Sequence, residues 1–291
     1  MKAIIKSLLI VATALFVVAC GGGGGTTASV KKDSLFPSNS RLASSTDSNA
    51  QEVADLLFGY NTDRIVPANA RKISDGTKFT IFNLLLNNVK ELNKSSDVSK
   101  HSRLTDESEY CDSGNLYKET LNDGSVKYIY NNCTQGDFTF NGTIKKHKYD
   151  NKLEVNYLTD FTIQDINGDN KIAVKKESSI TLELLNNGDY KTILNLVTNE
   201  NGKSSGFENV VFILNIDTST SSGTMYQSSG NIYINNLQEY VKWDSSYSMH
   251  NTPLVYDNGT ITDGEAHYIM RNATLAIYAN GDGTATYDIL R

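Results

Sequence analysis

The sequence predicts a mainly β protein: a large curved antiparallel sheet or partly closed barrel of hairpins, preceded by a short N-terminal helical pair. Three features of the chain point to it. From Cys111 onward the apolar period changes from about 3.6 to 2, the repeat of half-buried strands. Val126, Tyr128 and Tyr130, then Phe138 and Phe140, then Leu153, Val155 and Tyr157 follow that spacing. In that region Asn-Gly occurs at 141, 167, 187, 201, 258 and 280, and Asp-Gly at 123, 263 and 282. Both dipeptides supply the positive φ values of tight hairpin turns, so successive strands should be antiparallel neighbours. Of three prolines, Pro37 and Pro67 precede the β region and Pro253 falls in an expected loop, which leaves the ladders uninterrupted.

Residues 20–47 are rich in Gly, Ser and Thr, with Leu35, Phe36 and Leu42 as the large apolar side chains. That is too little apolar area to offset ordering, so a flexible tether is expected. A chain of its composition holds a domain ~30 Å from its attachment point on average. Ser48-Asn49-Ala50-Gln51 has the spacing of a capping box, and Val53, Leu56 and Leu57 follow at helical spacing before Gly59. A second helix is expected over 78–93, where Phe79, Phe82, Leu85, Leu86, Val89 and Leu92 form a core-facing stripe. Residues 94–109 are polar and read as a loop, so 48–110 is a helical pair and loop packed on the sheet.

The β domain is expected over 111–291, with about ten to twelve strands from Asn115 to Leu290. Ile193, Leu194, Leu196 and Val197, and the run Val210 to Leu214, are apolar on both faces and read as strands buried on both sides. Asn141-Gly142 lies inside an alternating run, where a bulge is the alternative to a hairpin tip. Cys133 to Ile163 and Ser222 to Trp243 show a faint mutual similarity, each a Gly-centred strand pair.

At the N-terminus Lys2 and Lys6 precede an apolar stretch without acidic residues, and Val17-Val18-Ala19-Cys20 is followed by a glycine run. This resembles the leader and lipobox of bacterial lipoproteins, which implies a signal peptide over 1–19, lipidation of Cys20 and a mature chain that starts there. Residues 4–19 fall short of the roughly 20 apolar residues a membrane-spanning helix needs. Gly21 after the lipidated cysteine implies, by the same resemblance, sorting to the outer membrane, facing the periplasm or the cell surface. Further on, Cys111-Asp112-Ser113-Gly114, Asn132-Cys133 and Asn141-Gly142-Thr143 resemble secreted β-rich lipoproteins of Gram-negative bacteria, a class without an assigned activity.

Composition narrows the function classes. The formal charge is −6, and loss of Lys2 and Lys6 with the leader takes it to −8. Basic residues are scattered, which argues against nucleic acid as a partner because anionic backbones need clustered Lys and Arg. With Cys20 lipidated, Cys111 and Cys133 are the remaining thiols of an exported chain and are expected to form a disulfide.

No catalytic residues, metal site or cofactor is expected. Asp165 to Asn170 starts like a calcium loop, but Asn170 stands where glycine is required and Lys176 where the bidentate acid belongs. A hairpin turn accounts for the same residues. His101, His147, His250 and His267 have no metal-ligand spacing, and no G-x-S-x-G elbow is present. Tyr226, Tyr233, Tyr240 and Trp243 form the richest aromatic stretch, a core strand or a ligand-stacking face according to their exposure.

The chain is therefore expected to be a non-enzymatic, outer-membrane-tethered binding or structural module. Its expected partners are the membrane, through the lipid anchor, and a glycan, an apolar ligand or an envelope protein. Two alternatives stand beside it: a carrier of lipid or another apolar ligand in a half-barrel, and a cell-envelope hydrolase.

Overall fold

A computed structural model describes residues 35–58, 81–93, 103–136, 138–166, 171–200, 202–244, 253–257, 260–281 and 285–291. The chain is mainly β, as expected, with eighteen strands assigned to one sheet and two α-helices among the described residues. It opens with β1 (Arg41–Leu42), α1 (Asp47–Phe58) and α2 (Ile81–Leu92), then β2 (Arg103–Asp106), β3 (Ser113–Thr120), β4 (Val126–Gln135) and β5 (Phe138–Lys148). Next come β6 (Lys152–Tyr157), β7 (Phe161–Asp165), β8 (Lys171–Val174), β9 (Ser179–Leu184), β10 (Tyr190–Glu200), β11 (Lys203–Asp217) and β12 (Ser222–Ile234). The last are β13 (Glu239–Trp243), β14 (Leu254–Asp257), β15 (Thr260–Asp263), β16 (Glu265–Met270), β17 (Ala273–Ala279) and β18 (Ala285–Leu290). Two compact units result: Met1–Phe36, Glu91–Thr181 and Leu196–Ser204 in the first, and Pro37–Lys90, Leu182–Asn195 and Ser205–Arg291 in the second.

In the first unit β2 to β5 form an antiparallel meander. The other edge of β5 then pairs with two successive strands, Ile144 to Lys148 with β6 and Phe138 to Asn141 with β7. Gly142 sits at the junction with φ 130°, and a Cβ there would lie 2.9 Å from the Phe161 Cα, so a side chain would force β7 away. Opposite it, β4 bulges at Asn132, φ 50°. The bulge moves burial from Tyr128 and Tyr130 to Cys133 and Gln135. Cys111 and Cys133 form the expected disulfide, with Cα atoms 5.3 Å apart. Glu91, in the last turn of α2, meets the buried Lys146 of β5 at 2.6 Å.

The second unit repeats this pairing scheme. β11 and β12 are antiparallel, with register shifts on either side of Val211. The other edge of β12 pairs with two successive strands, Asn231 to Ile234 with β13 and Gly223 to Met225 with β14. Gly230, φ 108°, marks the junction, and a Cβ there would lie 2.4 Å from the Val210 Cα. β14 pairs with β15 as β7 pairs with β8, and β13, β16, β17 and β18 continue the ladder. Helix α1 packs on β12 and β18, with Ala50, Val53 and Leu57 fully buried.

Four sequence expectations change in the folded chain. The tether expected over 20–47 is built into the structure from Leu35: Phe36 is buried, and β1 adds in parallel to β13 through Arg41↔Glu239 and Leu42↔Tyr240. Backbone hydrogen bonds, from Ala43 N to Tyr240 O and from Arg271 N to Ala43 O, replace the apolar burial that its composition lacks. Helix α1 is capped by Thr46 rather than Ser48, since the Asn49 N–H donates to Thr46 Oγ1 at 3.3 Å. The loop expected over 94–109 contains β2 and a 3₁₀ turn at Ser108–Tyr110. From β3 to β18 there are sixteen strands rather than the ten to twelve expected, because short breaks, such as residues 158–160 between β6 and β7 and Gly264 between β15 and β16, divide the ladders more finely than the apolar period shows.

Candidate ligand-binding face

Alternate residues of a strand face opposite sides of the sheet, and cross-strand partners share a side. Ile232 and Val241 are partners and both fully buried. Ile234 and Glu239 follow on that side, where Glu239 accepts a hydrogen bond from Asn49 of α1 at 2.9 Å. This is the side that α1 covers. Asn231, Tyr233, Tyr240 and Lys242 lie on the other, together with Glu208, the β11 partner of Asn231.

On that open side Tyr233 and Tyr240 stand directly opposite, their ring centroids 5.4 Å apart and their planes at 34°. The Tyr233 hydroxyl and the Asn231 amide both donate to Glu208 Oε2, each at 2.9 Å. Lys242 Nζ lies 5.9 Å from the Tyr240 ring centroid, within cation–π range. Tyr233 is buried, Glu208, Asn231 and Tyr240 are half-buried and Lys242 is exposed, so the cluster has a closed floor and an open rim. Burial, reinforced by Glu208, pushes the Tyr233 hydroxyl well up from the usual phenol range. It therefore stays protonated and keeps donating to the carboxylate.

The four aromatic residues singled out in the sequence are divided by the fold. Tyr233 and Tyr240 form the stacked pair. Trp243, an odd number of positions from Tyr240, lies on the α1 side, half-buried, with its ring edge-on to the buried Tyr268 at 5.8 Å. Tyr226 is 45% exposed and projects from the open side of β12 beyond the bulge, opposite Ile213. Glu208 and Asn231 were missed by sequence reasoning. The available signal was a carboxylate standing among apolar residues between Phe207 and Leu214.

Cys20, His101 and His250 lie outside the described residues, as do positions 167–170 of the loop after β7. His147 stacks on Tyr149 at 4.2 Å, and His267 is buried 3.6 Å from Glu265. Among the described residues no three His, Cys, Asp or Glu side chains are grouped to hold a metal ion. No protein-family model, curated protein or solved structure matches the chain.

Proposed function

We propose that the protein is an outer-membrane-tethered lipoprotein working as a non-enzymatic binding module, and that its ligand meets the open side of the second unit. A single feature carries this reading: the stacked pair Tyr233–Tyr240 beside a Glu208 carboxylate already held by Asn231 and Tyr233. Preorganised polar groups next to rigid ring area lower the ordering cost of binding. Support for the anchor comes from the resemblance of Val17 to Cys20 to a lipobox. Phe36, which is packed in the core, stands sixteen residues after Cys20, a stretch that spans at most ~55 Å. A module so attached works close to the bilayer. The packed α1 side, filled by Ala50, Val53 and Leu57, favours a surface site over a hollow carrier.

Two measurements test the reading. Cys20→Ser is expected to leave an unprocessed precursor, and a mature, detergent-phase protein from that variant would refute the anchor. The purified protein is expected to be retained by an envelope fraction, with retention unchanged by chelator. Turnover of a glycan, ester or peptide, abolished by one His or carboxylate substitution, would instead establish a hydrolase.

A further inference from the structure

The repeated pairing scheme supplies an internal control for the Glu208–Tyr233–Tyr240 cluster. Counting from the junction glycines, Lys145 stands three residues after Gly142 and pairs with Asn156, while Tyr233 stands three residues after Gly230 and pairs with Tyr240. Two positions back toward the junction in each ladder, Ile129 opposes Thr143 in the first unit where Glu208 opposes Asn231 in the second. The next position onward is charged on its covered side in both units. There Lys146, partner of Val155, meets Glu91, and Glu239, partner of Ile234, meets Asn49. The ladder thus reuses a buried charge to fasten a helical residue in each unit. It does not reuse the aromatic–carboxylate cluster. Lys145 and Asn156 satisfy the same backbone with an ordinary solvated pair, Lys145 reaching Asp123 at 2.8 Å, so strand pairing does not demand tyrosines at these positions.

From this we infer that the second unit carries a saccharide-binding site formed by Tyr240, Glu208, Asn231 and Lys242 over the floor of Tyr233. The inference rests on the binding reading above and names its ligand class. Both donors to Glu208 converge on Oε2, and Oε1 has no hydrogen-bond partner among the described residues. A carboxylate oxygen held in this way accepts hydrogen bonds from adjacent hydroxyls, and such bonds to a charged acceptor are about twice as strong as neutral ones. Tyr240 is half-buried, and the part of its ring left exposed between Tyr233 and Lys242 gives apolar area for the C–H side of a pyranose. Lys242, exposed and without an ion pair among the described residues, donates to ring or hydroxyl oxygens at the rim. Nucleic acid is disfavoured by Glu208 itself, and a protein partner would want a more apolar centre from which charge is depleted.

The test is a panel of immobilised neutral and uronic-acid oligosaccharides probed with the purified full chain, followed by calorimetry on the saccharides retained. Tyr240→Ala and the near-isosteric Glu208→Gln are each expected to weaken binding about tenfold, the loss of one stacking or charge-assisted contact. Lys145→Ala and Asn156→Ala, at the matching positions of the first unit, and Trp243→Ala, on the covered side, are expected to stay within about twofold, since they touch none of the site. Saccharide binding that survives both Tyr240→Ala and Glu208→Gln would overturn the site. Retention of no saccharide would overturn the ligand class, and if the protein is still held by an envelope protein or lipid fraction, the broader binding reading survives that loss.

Discussion

Asn49, in the first turn of α1, and Asn235, in the turn after β12, both donate to Oε2 of Glu239 at 2.9 Å, and the Asn235 amide also donates to Asn49 Oδ1 at 3.1 Å. Ser44 and Arg41 donate to Oε1 of the same carboxylate, each at 3.2 Å. One buried acid therefore joins β1, the start of α1 and the β12–β13 turn. Glu239→Ala should destabilise the protein by about 2–3 kcal/mol, because it removes charge-assisted bonds and strands the buried Asn49 amide. Denaturant titration measures it, and a loss under about 0.5 kcal/mol would show that the carboxylate is not the clasp.

The same carboxyl sets a pH dependence. Burial alone pushes it up, but hydrogen bonds from Asn235, Asn49, Ser44 and Arg41 outweigh burial and hold it below the usual glutamate range. A depressed folded-state pKa adds stability that is fully present above the unfolded value, about 4.3, and is lost as pH falls through the folded one. The wild type should therefore lose stability below about pH 4 more steeply than Glu239→Gln. Parallel acid-unfolding curves for the two proteins would contradict this.

Lys146 and Glu91 meet at 2.6 Å with most of both side chains out of water. Lys146→Ala should cost about 2–3 kcal/mol by leaving Glu91 partly buried without its partner, whereas Lys146→Met, which keeps the volume, paired with Glu91→Gln should be near neutral. A double-mutant cycle reads the coupling directly.

Gly142 and Gly188 both have positive φ, 130° and 88°, but only at Gly142 would an added Cβ meet backbone within 3 Å; around Gly188 nothing lies within 4 Å. Gly188→Ala should cost about 1 kcal/mol of backbone strain, and Gly142→Ala about 3 kcal/mol because β7 must also move. Equal losses in thermal unfolding would place the cost in the backbone alone.

Reduction of Cys111–Cys133, separated by 22 positions, should lower stability by about 3 kcal/mol in the chain-entropy account. Unfolding with and without reductant measures it, and mass mapping of the unreduced protein should recover the two cysteines in one linked peptide pair.

What could be read from the sequence was what depends on neighbours in the chain. The change of apolar period at Cys111 carried the fold class, Leu85, Leu86, Val89 and Leu92 carried the buried stripe of α2, and the even pair Cys111 and Cys133 carried the disulfide. Turn dipeptides were only partly informative. Asp123-Gly124 and Asn187-Gly188 do cap hairpins, but Gly142 lies within β5 and Gly264 separates β15 from β16. Within the candidate site, the Tyr233 and Tyr240 types were visible, whereas their union with Glu208 was not. Tertiary structure decided that union, the pairing of β1 with β13 and the meeting of Asn49 with Asn235 across 186 positions. The physical reason is register. Strand side chains alternate with a period of two, so a shift of one residue, such as the bulges in β4 and β11 introduce, exchanges the two sides of the sheet. Which residues meet is then set by pairing between distant strands, which no local pattern records.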